Sequence, residues 1–180
     1  MTALRLHDLD QFRAVRLPPH YPSNVRDLAA PVDQVHDALL AIVNSAVISI
    51  YAALFDLTDV QLVTALLARA DAGVPIQLTL DSTESITAAE SVLIPKLTSH
   101  VNVDLSVGTS EHGAYMHLKD LVVDGLLVAT GSVNWTTSGE SAQDNRLIVI
   151  ANTAVATEVT GRLTAIHAYQ KAHTPPGAPR

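Results

Sequence analysis

Apolar residues along this chain recur with two alternating periods, and the alternation predicts an α/β layered fold. Val35, Leu39, Ile42 and Val43 recur at helical spacing within Pro31 to Ala46, with Pro31 suited to a first turn. Val47 to Leu54 is a continuous apolar, β-rich run. Asp59 to Ala72 reads as a second helix ended by Gly73, and Val74 to Leu80 alternates as a strand. Ser85 to Leu97 is helical in pattern despite Pro95 near its end. In Val101 to Val107, the residues Val101, Val103, Leu105 and Val107 share one face. Leu121 to Val123 and Leu126 to Ala129 flank Asp124-Gly125, a hairpin signal. Leu147 to Ile150 supplies the last strand, and Ala154 to Ala172 a last helix before a Pro-rich tail, residues 173–180.

Strands alternating with helices imply a mixed β-sheet flanked by helices on both faces, with parallel and antiparallel pairs mixed because of the hairpin. Gln11 to Leu17 predicts an edge strand and Leu17 to Ser23 a loop. Residues 1–30 thus form an N-terminal arm or edge segment on a domain spanning 31–172. No internal repeat is present.

At 180 residues and 48% hydrophobic, the chain can bury a core and suits one domain. It has no cysteine, so disulfides and thiolate metal sites are excluded. The first thirty residues carry charges throughout, which argues against a signal peptide, and no run approaches the ~18 apolar residues of a membrane span. Cytoplasmic residence is the expectation.

The candidate chemistry is concentrated in one stretch. His117-Leu118-Lys119 is followed by Asp124 and then by Gly131-Ser132-Val133-Asn134. These bring an imidazole, an ammonium, a hydroxyl and a carboxamide together, a set that suits holding and attacking a phosphate diester. An imidazole near neutral pH can be a nucleophile or, protonated, a general acid. Lys119 offers a point charge to the non-bridging oxygens, and Ser132 and Asn134 add uncharged donors. Charge stabilisation can come from these side chains, so no metal or other cofactor is expected. Strand parity points His117 and Lys119 the same way and puts Ser132 and Asn134 on a shared face. Asp124 has the opposite parity to His117, which makes it a strand-end or turn residue.

The run resembles the phospholipase D superfamily motif, HxKxxxxD followed by GSxN, in a single copy where phospholipases proper usually carry two. The resemblance extends over residues 47 to 150: Val47 to Tyr51 and Leu57-Thr58-Asp59 are similar to a first core strand and the start of the next helix, and Ala65 to Asp81 to a helix–strand unit. It implies a phospholipase D-like fold, a phosphodiesterase working through a phosphohistidine on His117, and His117, Lys119 and Asp124 as the catalytic set. Asp144 and Asn145 are similar to an acidic-Asn pair whose acidic member helps to orient the catalytic His, although relatives often have Glu where Asp144 stands. Asp120 departs from the pattern, standing where the family generally has an aromatic or aliphatic residue; parity turns it away from the phosphate.

One motif per chain leaves the leaving oxygen without a proton donor. In single-copy relatives two identical chains supply one His each, so the resemblance implies a two-fold homodimer. His112, the nearest other imidazole, has no paired Lys and reads as loop. Single-copy members are often nucleases, which makes nucleic acid the expected substrate and endonuclease the expected activity. Charge bears on this: the net charge is −7, and residues 27 to 161 hold four cations (Arg69, Lys96, Lys119, Arg146) against sixteen acidic residues. A nonspecific nuclease normally carries a basic track. A lipid or small diester substrate therefore stays open, and an apolar mouth with aromatic residues would favour it, as does a catalytically silent module that keeps only the fold.

Overall fold

Seven apolar runs pair into one sheet in the computed structural model, which describes residues 4–173. The strands are β1 (Val25–Ala30), β2 (Ile50–Leu54), β3 (Ile76–Asp81), β4 (Val103–Gly108), β5 (Lys119–Val123), β6 (Leu127–Gly131) and β7 (Asn145–Ala151). Their spatial order is β1-β7-β6-β5-β2-β3-β4. Pairing of β2, β3 and β4 is parallel and every other pairing is antiparallel. The β5–β6 hairpin turns at Asp124 and Gly125, which have φ of 55° and 62°, as the Asp-Gly pair predicts.

Alternation along the strands divides the interior into two layers. Leu121, Val123, Leu127 and Ala129 enter the larger core, together with Leu39 and Ile42 of α1 (Val35–Asn44) and Leu62 and Leu66 of α2 (Val60–Asp71). Val122, Val128 and Ala53 face the other way, toward Ala156 and Leu163 of α7 (Thr153–His173). Each fully buried Leu or Ile contributes roughly 1.5–3 kcal/mol, so the larger layer dominates stability. The second layer adds a polar tie: His167 Nδ1 lies 2.9 Å from Ser106 Oγ and 3.1 Å from Thr79 Oγ1. Burial holds this imidazole below its usual pKa, with Asp104 opposing the shift. No helix of the described residues is long and apolar enough to cross a membrane.

Three expectations are corrected. The edge strand is Val25–Ala30 rather than Gln11 to Leu17, and Leu6–Phe12 is a 3₁₀ helix. Leu6, Leu9 and Phe12 recur every three residues, so one side of a three-residue turn packs all of them on the core. Pro31 lies outside α1, which begins at Val35. Asp33 closes the intervening turn by accepting from the Ala29 and Ala14 amides at 2.8 and 2.7 Å.

The single helix expected over Ser85 to Leu97 is three short ones: α3 (Ser82–Ser85), α4 (Ala88–Ser91) and α5 (Ile94–Thr98). Thr87 breaks the run by capping α4, and Pro95 starts α5. The break sends Glu90 inward, where it is fully buried with neither carboxylate oxygen in a hydrogen bond of normal geometry. The tail beyond residue 173 lies outside the described residues.

Burial, reinforced by Asp56 and Glu84, pushes the Glu90 carboxyl up to about 8, and the Leu57 amide offsets only part of this. A raised carboxyl pKa costs stability as pH climbs from the ordinary value of 4.5 toward about 8. Glu90→Gln is expected to leave the melting temperature nearly unchanged in acid, at about pH 4.5, and to raise it at about pH 9, by on the order of 1–2 kcal/mol of stability. Thermal unfolding at the two pH values checks this; equal midpoints in alkali would mean that the carboxyl is not held protonated.

Candidate active site

The carboxyl ends of β2 and β3 and the start of β5 meet at one end of the sheet, the position where open α/β sheets present their ligand sites. Leu54 pairs with Lys119, and the next amide, of Phe55, donates to the Leu118 carbonyl at 2.8 Å. Asp81, the last residue of β3, accepts from the Met116 amide at 2.6 Å. The segment carrying His117 is thereby tied to two neighbouring strands before β5 begins.

Phe55 is the platform on which His117 and Lys119 rest. Its ring centroid is 4.5 Å from that of His117, tilted by 57°, and the Lys119 ammonium sits 4.7 Å from the same centroid. His117 is exposed, whereas Lys119 is buried and donates from Nζ to the His117 carbonyl at 2.9 Å. Burial pulls the Lys119 pKa down, and Asp56, Asp120 and Asp81 act against it. A partly desolvated ammonium beside an accessible imidazole is an attractive place for a phosphate oxygen.

Gly131 ends β6 with φ of 146°, and a side chain there would run into the Arg146 carbonyl. Only glycine lets the two backbones approach this closely. Ser132 follows: its amide donates to the Arg146 carbonyl at 3.0 Å and its Oγ accepts from the Arg146 amide at 3.1 Å, leaving the hydroxyl proton free to donate. Val133 and Trp135 are buried in the core while Ser132 is exposed and Asn134 half-buried. The Asn134 Oδ1 is buried without a hydrogen-bond partner. The Trp135 amide donates to the Asp56 carbonyl at 3.1 Å, which brings the Asn134 segment against the exit of β2.

Other candidates are not brought to this place. Asp124 lies at the far end of β5, where its carboxylate accepts from the amides of Val47, Ile48 and Ser49. It anchors the chain entering β2, so its inclusion with His117 and Lys119 is corrected to a structural role, in agreement with its parity. Asp144 is exposed, and Asn145 donates to the Gly139 carbonyl at 2.9 Å and to Gln143 at 3.2 Å. Among the described residues neither one hydrogen-bonds the His117 ring. Asp120 faces away from Lys119 and accepts from the Thr130 hydroxyl at 2.6 Å, as its parity requires.

Several residues at the site carry no local signal in the sequence. Phe55 and Asp81 look like strand-end residues and acquire their roles only through pairing. Asp56 has an Oδ1 buried without a partner, and burial and Glu84 raise its pKa against the pull of Lys119. His36, Asp59 and Glu140 are the one set among the described residues with donor atoms close enough to hold a metal ion. His36 Nδ1 is 2.5 Å from Glu140 and 3.4 Å from Asp59, whose other oxygen caps α2 by accepting from Leu62. The set joins α1, the N-cap of α2 and α6 (Thr137–Ser141). Next to His117, a cavity of about 550 Å³ opens between residues 110–118 and α7.

The same fold is found in solved structures. Nuc, a phospholipase D family member from Salmonella typhimurium, is 20% identical with a TM-score of 0.71, over 81% of this chain and 95% of that one. NucT from Helicobacter pylori is 19% identical with a TM-score of 0.72, over 79% of this chain and 94% of that one. A phosphatidylserine synthase from Haemophilus influenzae shares the fold over 79% of this chain and 38% of its own, at 8% identity and a TM-score of 0.60. No curated protein matches the chain. Residues 39–166 match the family described as cardiolipin synthase, PLD-like domain, and with that match spanning most of the chain the protein belongs to this phospholipase D-like family.

Proposed function

We propose that the chain hydrolyses phosphodiesters without a metal ion, with His117 as the nucleophile. The observation that carries this reading is the exposed His117 ring packed on Phe55, with the Lys119 ammonium held beside it by the His117 carbonyl. A neutral ring nitrogen attacks phosphorus as the bond to the leaving oxygen breaks, and that oxygen departs with the electron pair and takes up a proton. Water then attacks phosphorus, the P–N bond breaks, and the water proton passes to a base. Lys119, Ser132 and Asn134 neutralise the charge that grows on the non-bridging oxygens.

The proton donor and the base call for a second imidazole. The same histidine of a second copy, brought across a two-fold axis, supplies one and uses no further residue type. For the substrate, the single motif copy supports an endonuclease acting on nucleic acid. The cavity beside His117 and the scarcity of cations favour a second reading, a lipid or other small diester.

Activity on a diester panel (single- and double-stranded DNA, RNA, phosphatidylcholine and an activated aryl diester) is expected to survive EDTA. Complete loss on chelation, with recovery in Mg²⁺, would sink the metal-free mechanism. His117→Ala is expected to lower kcat on the order of 10³-fold or more, and Lys119→Ala about 10²-fold, with melting temperatures close to the parent. Near-full activity of the His117 variant would place the chemistry elsewhere. Specific activity is also expected to fall on dilution together with the dimer fraction seen by light scattering; a fully active monomer would exclude the shared pocket.

A further inference from the structure

Three titratable side chains that the displacement at His117 does not use converge from distant parts of the chain. They are His36 on α1, Asp59 at the N-cap of α2 and Glu140 on α6, separated by 23 and 81 positions. One nitrogen or oxygen from each lies within 4.8 Å of the other two. Asp59 and Glu140 are only 6% and 1% exposed. The His36 side chain is 25% exposed, so solvent reaches the set at the imidazole.

Hydrogen bonding alone does not satisfy these groups. A proton between His36 Nδ1 and Glu140 Oε2 serves those two atoms. Glu140 Oε1 stays buried with no partner, on the least exposed side chain of the three. Charge does not balance either: two carboxylates outnumber one imidazolium, and Asp37 is a further carboxylate acting on His36. Buried charge that is not compensated is costly. Burial accordingly holds the Glu140 carboxyl above its usual range, and the hydrogen bond with His36 offsets only part of this. A divalent cation beside a neutral imidazole would balance both carboxylates.

We propose that His36, Asp59 and Glu140 bind one Zn²⁺ or similar first-row divalent cation, as a structural ion rather than a reactant. One imidazole nitrogen with two carboxylates suits such an ion, whereas Ca²⁺ and Mg²⁺ favour oxygen ligands. Bonds of roughly 2.0–2.2 Å in a tetrahedron put ligand atoms about 3.4 Å apart. His36 Nδ1 and Asp59 Oδ2 are separated by 3.4 Å. The contact between His36 and Glu140, 2.5 Å across the shared proton, opens when the ion replaces that proton, and Glu140 Oε1 gains a positive partner. Water entering beside His36 completes the shell. Asp59 keeps its other oxygen on the Leu62 amide at 2.8 Å. The ion ties α1, α2 and α6 into one clip. The Thr58 and Asp59 amides donate to the Trp135 carbonyl at 2.9 and 3.0 Å, and Thr136 caps α6, so the clip also steadies the turn that carries Asn134.

The test is titration of the untagged full chain, freed of metal, with ZnCl₂, MgCl₂ and CaCl₂, read by calorimetry and by thermal unfolding. Zn²⁺ is expected to bind with one tight site per chain. At roughly 100 times its Kd it is expected to raise the melting temperature by about 5–10 °C, and Mg²⁺ and Ca²⁺ to leave it unchanged. Glu140→Gln keeps the shape of the side chain and removes its charge; it and His36→Gln are expected to fold and to lose the shift, while His112→Gln, at an exposed histidine, keeps it. Should one site variant fail to fold, the other and the stoichiometry of the parent decide. No tight Zn²⁺ site in the parent overturns the proposal and leaves a hydrogen-bonded triad. An equal shift in the parent and in both site variants assigns the binding to surface histidines and overturns it too. Binding is read without turnover, so this outcome is independent of the phosphodiesterase reading. EDTA is expected to lower the melting temperature of the zinc-loaded protein and to spare turnover below it; turnover lost while the chain stays folded would overturn the structural role.

Discussion

The site depends on the docking of residues 116–118 onto the ends of two strands distant in the chain. Asp81 holds the Met116 amide, and the Leu118 carbonyl takes the amide of Phe55. These bonds fix where β5 begins and deliver the His117 and Lys119 side chains to one aromatic ring. Without them His117 would sit on a free loop, because residues 109–118 belong to no strand or helix. Hydrogen bonds of this kind are individually modest, roughly 0.5–1.5 kcal/mol for the backbone pair and about 1.5–3 kcal/mol for the one to the Asp81 carboxylate, but here they set position rather than stability.

The electrostatics of the same region act on Lys119 in opposite directions. The buried ammonium has lost much of its hydration, which weakens its charged form, while the carboxylates of Asp56, Asp120 and Asp81 restore it. Such a cation is preorganised for an anion and has little reorganisation left to undergo.

Much of the fold could be read along the chain. The apolar runs Leu121 to Val123 and Leu126 to Ala129 fall in or against β5 and β6, and the Asp-Gly pair located the hairpin. The places where reading failed have two causes: a tertiary contact that selects the local turn, and local breakers that outweigh a helical spacing. Leu6, Leu9 and Phe12 have a period that is not a strand period, and the core beneath them selects a 3₁₀ turn. Ser85 to Leu97 has helical spacing, yet Thr87 and Pro95 divide it and Glu90 turns inward.

The sequence by itself determined the residue types and spacing of His117, Lys119, Ser132 and Asn134, and the odd-even offset between His117 and Asp124 already set Asp124 apart. It also determined the membership of the family, since motif and strand pattern coincide over most of the chain. Only the tertiary structure decided what surrounds that set. Phe55, Asp56 and Asp81 lie 62, 61 and 36 positions before His117, and pairing of β5 with β2 and of β2 with β3 is what brings them to it. The cavity arises in the same way, from α7 crossing back over the sheet to face residues 110–118. Local order along a chain fixes which way a side chain points; what it meets there is set by contacts between segments whose separation no local pattern records.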